Sequence, residues 1–363
     1  MPAKEPNPSS TETGYRKVGY EISSEFLRAC QHVGSTLLVS TYQAGKVAVV
    51  GCGADGLHLT LHNFEQAMGI AVRPDKIAVG ARGQIWFLQN AADLAPQIEP
   101  YGHFDGCYLT RSAFVTGNIH GHEMVWSGEQ LWIVNTLFSC LSTMHDDFSF
   151  VPRWQPPFIT ALAAEDRCHL NGLAMHDGKP KYVTVMAESD EAGGWRPNKA
   201  TTGCILDVQS GEVVARGFAM PHSPRLHAGK LWVLDSGRGT ICTVDPATGK
   251  TDIVTNVPGY TRGLAFAGQF AFVGMSKIRE TSVFGGIPIA EKLNELRCGV
   301  AVVDLNSGQA VAFIQFTSGV DEVFDVQIVP DVRVLSMLGP FPDLDDTKPI
   351  WLVPREDQVS QLT

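Results

Sequence analysis

Four histidines stand at the head of apolar runs in phrases that echo one another: HGHEM (120–124), HLNGLAM (169–175) and PHSPRL (221–226). Neutral imidazole is a base, a proton carrier and the commonest metal ligand. Three imidazoles with an open fourth position are a standard catalytic arrangement for zinc or another divalent transition metal, which acidifies a bound water or polarises a carbonyl. His122, His169 and His222 are the expected ligand set for such a metal. Arg262 could hold a substrate carboxylate through paired hydrogen bonds. Tyr260 could move a proton if its pKa is lowered, and Glu123, Glu322 or Asp325 could act as base or orient a histidine. Tyr260, Arg262, Asp325 and Glu123 are the catalytic candidates, with Asn171, Arg225, His120 and Glu322 as candidates for substrate binding. HGHE is not the local zinc motif H-E-x-x-H, so the set must be assembled by the fold.

The same residues support two other chemistries. His169 or His222 could work as a metal-free acid and base beside Asp325, with Arg262 steadying an oxyanion. Asn171 and Asp325 could hold a hard cation such as calcium, as in six-bladed lactonases, although histidines here outnumber oxygen ligands. Each residue also has a structural use. A histidine at a strand start is most often a turn or surface residue, an asparagine there caps its own backbone, and Arg262 could pair with Asp325 across a channel. His32, His58, His62, His103, His145, His176 and His227 fall in loops, turns or mid-strand and read as structural or exposed. No G-x-S-x-G, P-loop or dinucleotide fingerprint occurs, so no nucleotide cofactor is expected. Cys168 adjoins His169, but neighbours on an extended strand face opposite ways, which removes it as a nucleophile.

A repeat must position these groups. SPRLHAGKLWVLDSGRGTICTVDPATGKTDIVTNVPG (223–259) reads as four short apolar strands separated by AG, DSGRG and DPATGK turns. TRGLAFAGQFAFVGMSKI (261–278), resumed by CGVAVVDLNSGQAVAFIQF (298–316), repeats the pattern. Four antiparallel strands recurring at roughly 40–50 residues are the signature of propeller blades. Further units begin near residues 67, 122 and 171. The remaining strands, at 35–51 and 323–338, lie at opposite ends of the chain and would complete one blade between them. The expected fold is all-β: a six-bladed β-propeller closed by pairing of N- and C-terminal strands, which leaves no open sheet edge. Five or seven blades are the neighbouring counts, because the first and last units are the weakest. Residues 25–34 read as a short helix, and 189–200 and 279–297 as insertions beyond the sheets, the second able to carry a short helix.

Overlaying the blade entries sets Met68, His122, Asn171, Ser223, Arg262 and Asp325 at one position. Gln66, His120, His169, His222, Tyr260 and Glu322 stand just before it. First strands of propeller blades line the central channel, so these groups would converge on one mouth. One register slip exchanges His120 and His122.

Composition narrows the setting. The 363 residues carry a formal net charge of -10, with 18% charged and 44% apolar residues. With no basic block and no apolar run of membrane-spanning length, neither nucleic acid nor membrane is an expected partner. Eight cysteines occur singly, which reads as reduced thiols in a cytoplasmic protein. The polar N-terminus lacks a signal-peptide pattern. We expect a loose segment at 1–20, one propeller domain at 21–350 and a tail at 351–363.

VSTYQAGK (39–46), HGHEMVW (120–126), HLNGLAM (169–175), PHSPRLH (221–227) and LWVLDSG (231–237) resemble the phrases of an uncharacterised bacterial family of propeller-like proteins, a domain of unknown function. The resemblance covers about residues 25 to 340, implies a cytosolic propeller-like fold and supplies no reaction. Three channel histidines with a tyrosine and arginines also resemble, as a constellation, the six-bladed peptidylglycine amidating lyase, a zinc enzyme. The function expected is a metal-dependent lyase or hydrolase acting on a small polar or carboxylated molecule. The alternative is a binding or scaffold module for a peptide or protein partner, without catalysis.

Overall fold

The computed structural model describes residues 17–278, 284–354 and 359. The expected N-terminal loose segment lies outside these residues up to position 16, as do most of 355–363 in the tail. Among the described residues, twenty-six strands build six sheets arranged as the blades of a propeller. Alternating apolar residues on both faces of each sheet pack against the neighbouring blades, so the core is a ring of apolar layers between sheets.

Blade 1 is closed by both ends of the chain. Its innermost strand, Asp325–Val329, pairs antiparallel with Thr36–Thr41, setting Ser40 opposite Asp325, and Lys46–Gly53 and Gly56–Asn63 follow outward. The innermost strands of blades 2 to 6 are Ile70–Arg73, Gly121–Ser127, Leu170–His176, Pro221–His227 and Tyr260–Ala267. The sequence placed both strands of 323–338 in the shared blade, and the structure corrects the second. Leu335–Leu338 runs parallel to Gly106–Val115 and becomes the fifth strand of blade 2. Gly19–Ile22 likewise pairs with Gln309–Ser318 as the fifth strand of blade 6. Both additions cover sheet edges that would otherwise present unpaired backbone groups.

The expected helix spans Ser24–Val33 and buries Phe26, Ala29 and Cys30 against blades 1 and 6. It stops at Gly34, whose φ of 60° is the left-handed cap that glycine supplies at least cost. The two insertions lie on the face where the innermost strands begin. The second carries a 3-10 helix, Pro288–Glu295.

Candidate functional site at the channel mouth

The backbone sets a common register for four of the six channel entries. Gln66, His120, His169 and Met220 all adopt the left-handed region, with φ of 51°, 52°, 51° and 54°. Side-chain residues hold this conformation only where surrounding contacts enforce it. Two residues on stand Met68, His122, Asn171 and His222. Blade pairing extends the layer to Arg262, and the ring of Phe324 completes it, 5.1 Å from His122 and beneath the Arg262 guanidinium at 3.6 Å. The sequence overlay put Ser223 and Asp325 in this layer. His222 and Phe324 occupy it instead, and Ser223 and Asp325 lie one residue deeper. In blade 5 the left-handed residue that precedes the layer is Met220, which aligns His222 rather than Ser223 with His122 and Asn171. The extra residue in the innermost pairing of blades 3, 4, 5 and 6 is common to all four and leaves that alignment unchanged.

His122 is the centre of the cluster. Its ring lies 4.8 Å from His169 and 6.4 Å from His222. All three histidines have Nδ1 committed. His222 Nδ1 lies 2.9 Å from the Met220 carbonyl and 3.0 Å from Ser236 Oγ. His122 Nδ1 lies 3.1 Å from the His120 carbonyl and 2.8 Å from Thr136 Oγ1, whose own proton goes to the Leu170 carbonyl at 2.5 Å. His169 Nδ1 meets both oxygens of Asp166, at 3.0 and 2.9 Å. Carbonyls and carboxylates only accept, so Nδ1 carries the proton in each ring. Burial, reinforced by neighbouring imidazoles and Arg262, holds the pKa of His122 and His222 well below the ordinary imidazole value. Both are therefore neutral at pH 7, with a lone pair on Nε2. The Nε2 of His222 is buried and has no partner among the described residues.

This is the tautomer that metal-binding histidines adopt. The donor chemistry fits a divalent transition metal, but the separations do not close on one point. Among the described residues, no three His, Cys, Asp or Glu side chains stand close enough to hold an ion together. The space among His122, Asn171, His222, Arg262 and Phe324 admits about one water-sized sphere.

The carboxylates divide into two groups. Glu123 and Asp325 are buried below the histidines and reach into the next blade. Glu123 Oε2 accepts from Leu173 N at 3.0 Å, and Asp325 Oδ2 from Ile70 N at 2.9 Å. Ser223 Oγ does the same for Gly263 N at 3.1 Å. Glu123 and Ser223 satisfy backbone groups beside the irregularities of blades 4 and 6, and Asp325 satisfies one at the start of the innermost strand of blade 2. The approach is tight: a Cβ on Gly172 would lie 2.3 Å from Pro224 Cδ, and one on Gly263 2.3 Å from Val326 N. Arg225 pairs with Glu123 and also donates to the Leu264 carbonyl at 3.1 Å, so it ties blade 5 to its neighbours from below. Glu322, by contrast, lies at the mouth and pairs with Arg262 at 3.1 Å. Arg262 thus takes Glu322, not Asp325, as its ion partner.

One guanidinium cannot neutralise two buried carboxylates. Desolvation pushes Glu123 up to about 7, with repulsion from Asp325 adding to it and Arg225 opposing, and Asp325 moves up for the same leading reason. A carboxyl raised above its unfolded value contributes stability that is complete below about pH 4.5 and lost as pH rises through about 7. His122 and His222, held below the ordinary imidazole value, contribute the opposite slope over the same range, so the Glu123 contribution shows as a difference: Glu123→Gln, which keeps the acceptor for Leu173 N, should gain urea midpoint relative to the parent protein as pH rises from 4.5 to 7. A difference that stays constant with pH would remove Glu123 as its source.

Of the remaining candidates, His120 sits beside Asp166 and His169 at the rim, where burial lowers its pKa. His122 is therefore the one of the pair that faces the channel. Asn171 lies in the histidine layer and accepts from Thr184 Oγ1 at 2.6 Å. Tyr260 is buried 5.8 Å from His222, and burial raises its phenol. That is opposite to the lowered pKa a proton-accepting role would need. Reading the sequence missed Asp166 and Trp195. Trp195 packs on His169 in a tilted arrangement, ring centroids 4.3 Å apart, and donates from Nε1 to Asp166 Oδ2 at 3.0 Å. The one available signal was a tryptophan in the otherwise polar insertion SDEAGGWRPNKA. Beside the mouth, a cavity of about 270 Å³ is lined by Tyr260, Lys277, Phe284, Leu293 and Glu322.

A closed six-bladed propeller with a polar, histidine-lined channel mouth is the class that this fold and site define. The chain belongs to the family described as a domain of unknown function, DUF4915, whose model matches residues 24–338. No curated protein matches. Among solved structures, a chain of the nidogen/laminin complex is similar at 11% identity and a TM-score of 0.51, covering 82% of this chain and 99% of that one. TolB from Acinetobacter baumannii (14%, TM-score 0.47, 82% and 66%) and virginiamycin B lyase from Staphylococcus aureus (11%, 0.39, 64% and 71%) are further neighbours. At these identities the likeness is one of fold alone. No helix among the described residues is long and apolar enough to cross a membrane.

Proposed function

We propose that this protein is a cytoplasmic enzyme of the lyase or hydrolase type, acting at the channel mouth on a small polar or carboxylated molecule. The observation that carries this reading is the shared tautomer. His122, His169 and His222 each hold a proton on Nδ1 and keep Nε2 free on one face of the ring of blades. Without a metal, His169 is the working base, because Asp166 orients it and keeps its proton on Nδ1. Its side chain is 14% exposed, so a substrate can reach it. Arg262 supplies positive charge next to the cavity of about 270 Å³, where Glu322 gives way to a substrate carboxylate.

A divalent transition metal is part of the proposal. The Nε2 atoms of His122, His169 and His222 would hold it, after side-chain rotation draws the rings inward. When bound, it supplies an acidified water or a polarised carbonyl. Protein purified without an affinity tag and assayed for metal content tests this directly. We expect close to one equivalent, falling at least about tenfold in His122→Ala, consistent with loss of a ligand. Less than about a tenth of an equivalent in the parent protein would leave the metal-free acid–base version. The scaffold reading predicts instead that a peptide or protein partner binds equally well to His169→Ala and that no small carboxylated molecule is turned over.

A further inference from the structure

The cavity of about 270 Å³ beside the channel mouth meets two ion pairs, and they differ in depth. Lys277 and Asp321 stand 3.5 Å apart, with side chains 37% and 41% exposed. Arg262 and Glu322 pair at 3.1 Å, with side chains only 9% and 21% exposed. Tyr260, Ile278, Phe284 and Leu293 supply apolar lining. Phe284 meets the Tyr260 ring edge-on at 5.1 Å, so one wall of the cavity is aromatic.

The charges balance: among the described residues, two cations and two carboxylates make up these pairs. The outer pair is partly in water, where a salt bridge exchanges readily for solvent. The inner pair is not. Burial pushes the Glu322 carboxyl up, and Arg262 opposes it. The Arg262 guanidinium is also held by something other than Glu322. It lies 3.6 Å over the Phe324 ring, and that ring stacks on Tyr42 at 5.6 Å and 29°. It therefore keeps its place when Glu322 turns aside. A ligand with a carboxylate alone would take Arg262 and leave Glu322 charged, little solvated and unpaired, which is the destabilising way to open a buried pair. An amine alone would do the same to Arg262. A ligand with both charges attached to one carbon inserts into the pair and satisfies each half, carboxylate on Arg262 and ammonium on Glu322.

We propose that this cavity binds a free apolar α-amino acid as its zwitterion, the two charges set between Arg262 and Glu322 and the side chain among Tyr260, Phe284 and Leu293. This rests on the channel-mouth reading and narrows its substrate class. The test is isothermal titration calorimetry of the full chain at pH 7 with three ligands: L-phenylalanine, 3-phenylpropionate, which lacks the ammonium, and 2-phenylethylamine, which lacks the carboxylate. L-Phenylalanine should bind saturably and about tenfold or more tighter than either analogue, because each analogue leaves one buried charge unpaired. Glu322→Gln should reverse the order of L-phenylalanine and 3-phenylpropionate, since Arg262 then has no carboxylate to release and the ammonium has no counter-charge. Leu293→Trp, in the cavity wall, should weaken L-phenylalanine about tenfold or more. The three-ligand comparison uses the parent protein, so it stands even where a variant fails to fold. 3-Phenylpropionate binding as tightly as L-phenylalanine would overturn the zwitterion and leave the carboxylate reading in place. Equally tight 2-phenylethylamine would remove the role of the carboxylate and sink both. No saturable binding of L-phenylalanine would sink this proposal alone, because the channel-mouth reading is tested by metal content and turnover. An unreversed order in Glu322→Gln, or an unchanged affinity in Leu293→Trp, would overturn the assignment to this cavity.

Discussion

Asp166→Asn is expected to lower turnover about 10²–10⁴-fold while leaving the fold intact. The argument is one of tautomers. The Asp166 carboxylate accepts from His169 Nδ1 at 2.9–3.0 Å, which leaves Nε2 as a base. An asparagine fills the same volume, yet its amide can donate to Nδ1 and drive the proton to Nε2. His169 then has no lone pair to offer a substrate. General-base contributions of this kind are worth about 10²–10⁴ in rate. Asp166 also accepts from Trp195 Nε1 at 3.0 Å, and an asparagine oxygen preserves that bond, so the melting temperature should barely move. The measurement is kcat/KM against pH, with the substrate found by screening small carboxylated molecules. His169→Ala should lose a similar factor, and the two losses should not add, because one residue acts through the other. Full activity in Asp166→Asn would remove His169 as the base.

The largest stability effect is expected at Arg225. It pairs with Glu123, supplies positive charge felt by Asp325, and bonds carbonyls of blades 5 and 6. Arg225→Met leaves two buried carboxyls without a counter-charge. Removing one partner of a buried ion pair costs about 3–5 kcal/mol. Part of that cost is avoided when the carboxyl takes up a proton, so the loss should be larger at pH 8 than at pH 5. Adding Glu123→Gln should recover part of it by discharging the site while still accepting from Leu173 N. Urea unfolding of the single and double variants measures both. A single-variant loss below about 1 kcal/mol would show that the two carboxyls are neutral in the folded protein and that Arg225 is held by its carbonyl contacts alone.

Much of the scaffold was legible because its signals are local. Turn phrases such as DPATGK and DLNSGQ, and apolar runs of strand length between them, mark blades without knowledge of the neighbours. The helix at Ser24–Val33 and the closing strand at Asp325–Val329 followed from the same kind of signal. The fate of Leu335–Leu338 did not. An apolar four-residue strand has no local mark that tells it to run parallel along blade 2 rather than to continue blade 1.

The site shows the same division. That His122, His169 and His222 gather at one mouth followed from repeat position and holds in space. Their depth did not, because it is set by a left-handed residue two places before the layer, Met220 in blade 5, and a pattern with period two does not show where that residue falls. So Ser223 and Asp325 were read one layer too high. The roles of the charged groups were out of reach for another reason. Arg262 could have met Asp325 or Glu322, and only the distances select Glu322. Glu123 and Asp325 looked free for chemistry, but in space they are held by Leu173 N, Ile70 N and Arg225. By itself the sequence determined that this chain closes a ring of blades and sends histidines to its axis, because turns and strand periods are written in neighbouring residues. Tertiary structure alone decided which nitrogen of each histidine is free, since that depends on a carbonyl, a hydroxyl and a carboxylate that converge only when the ring is shut.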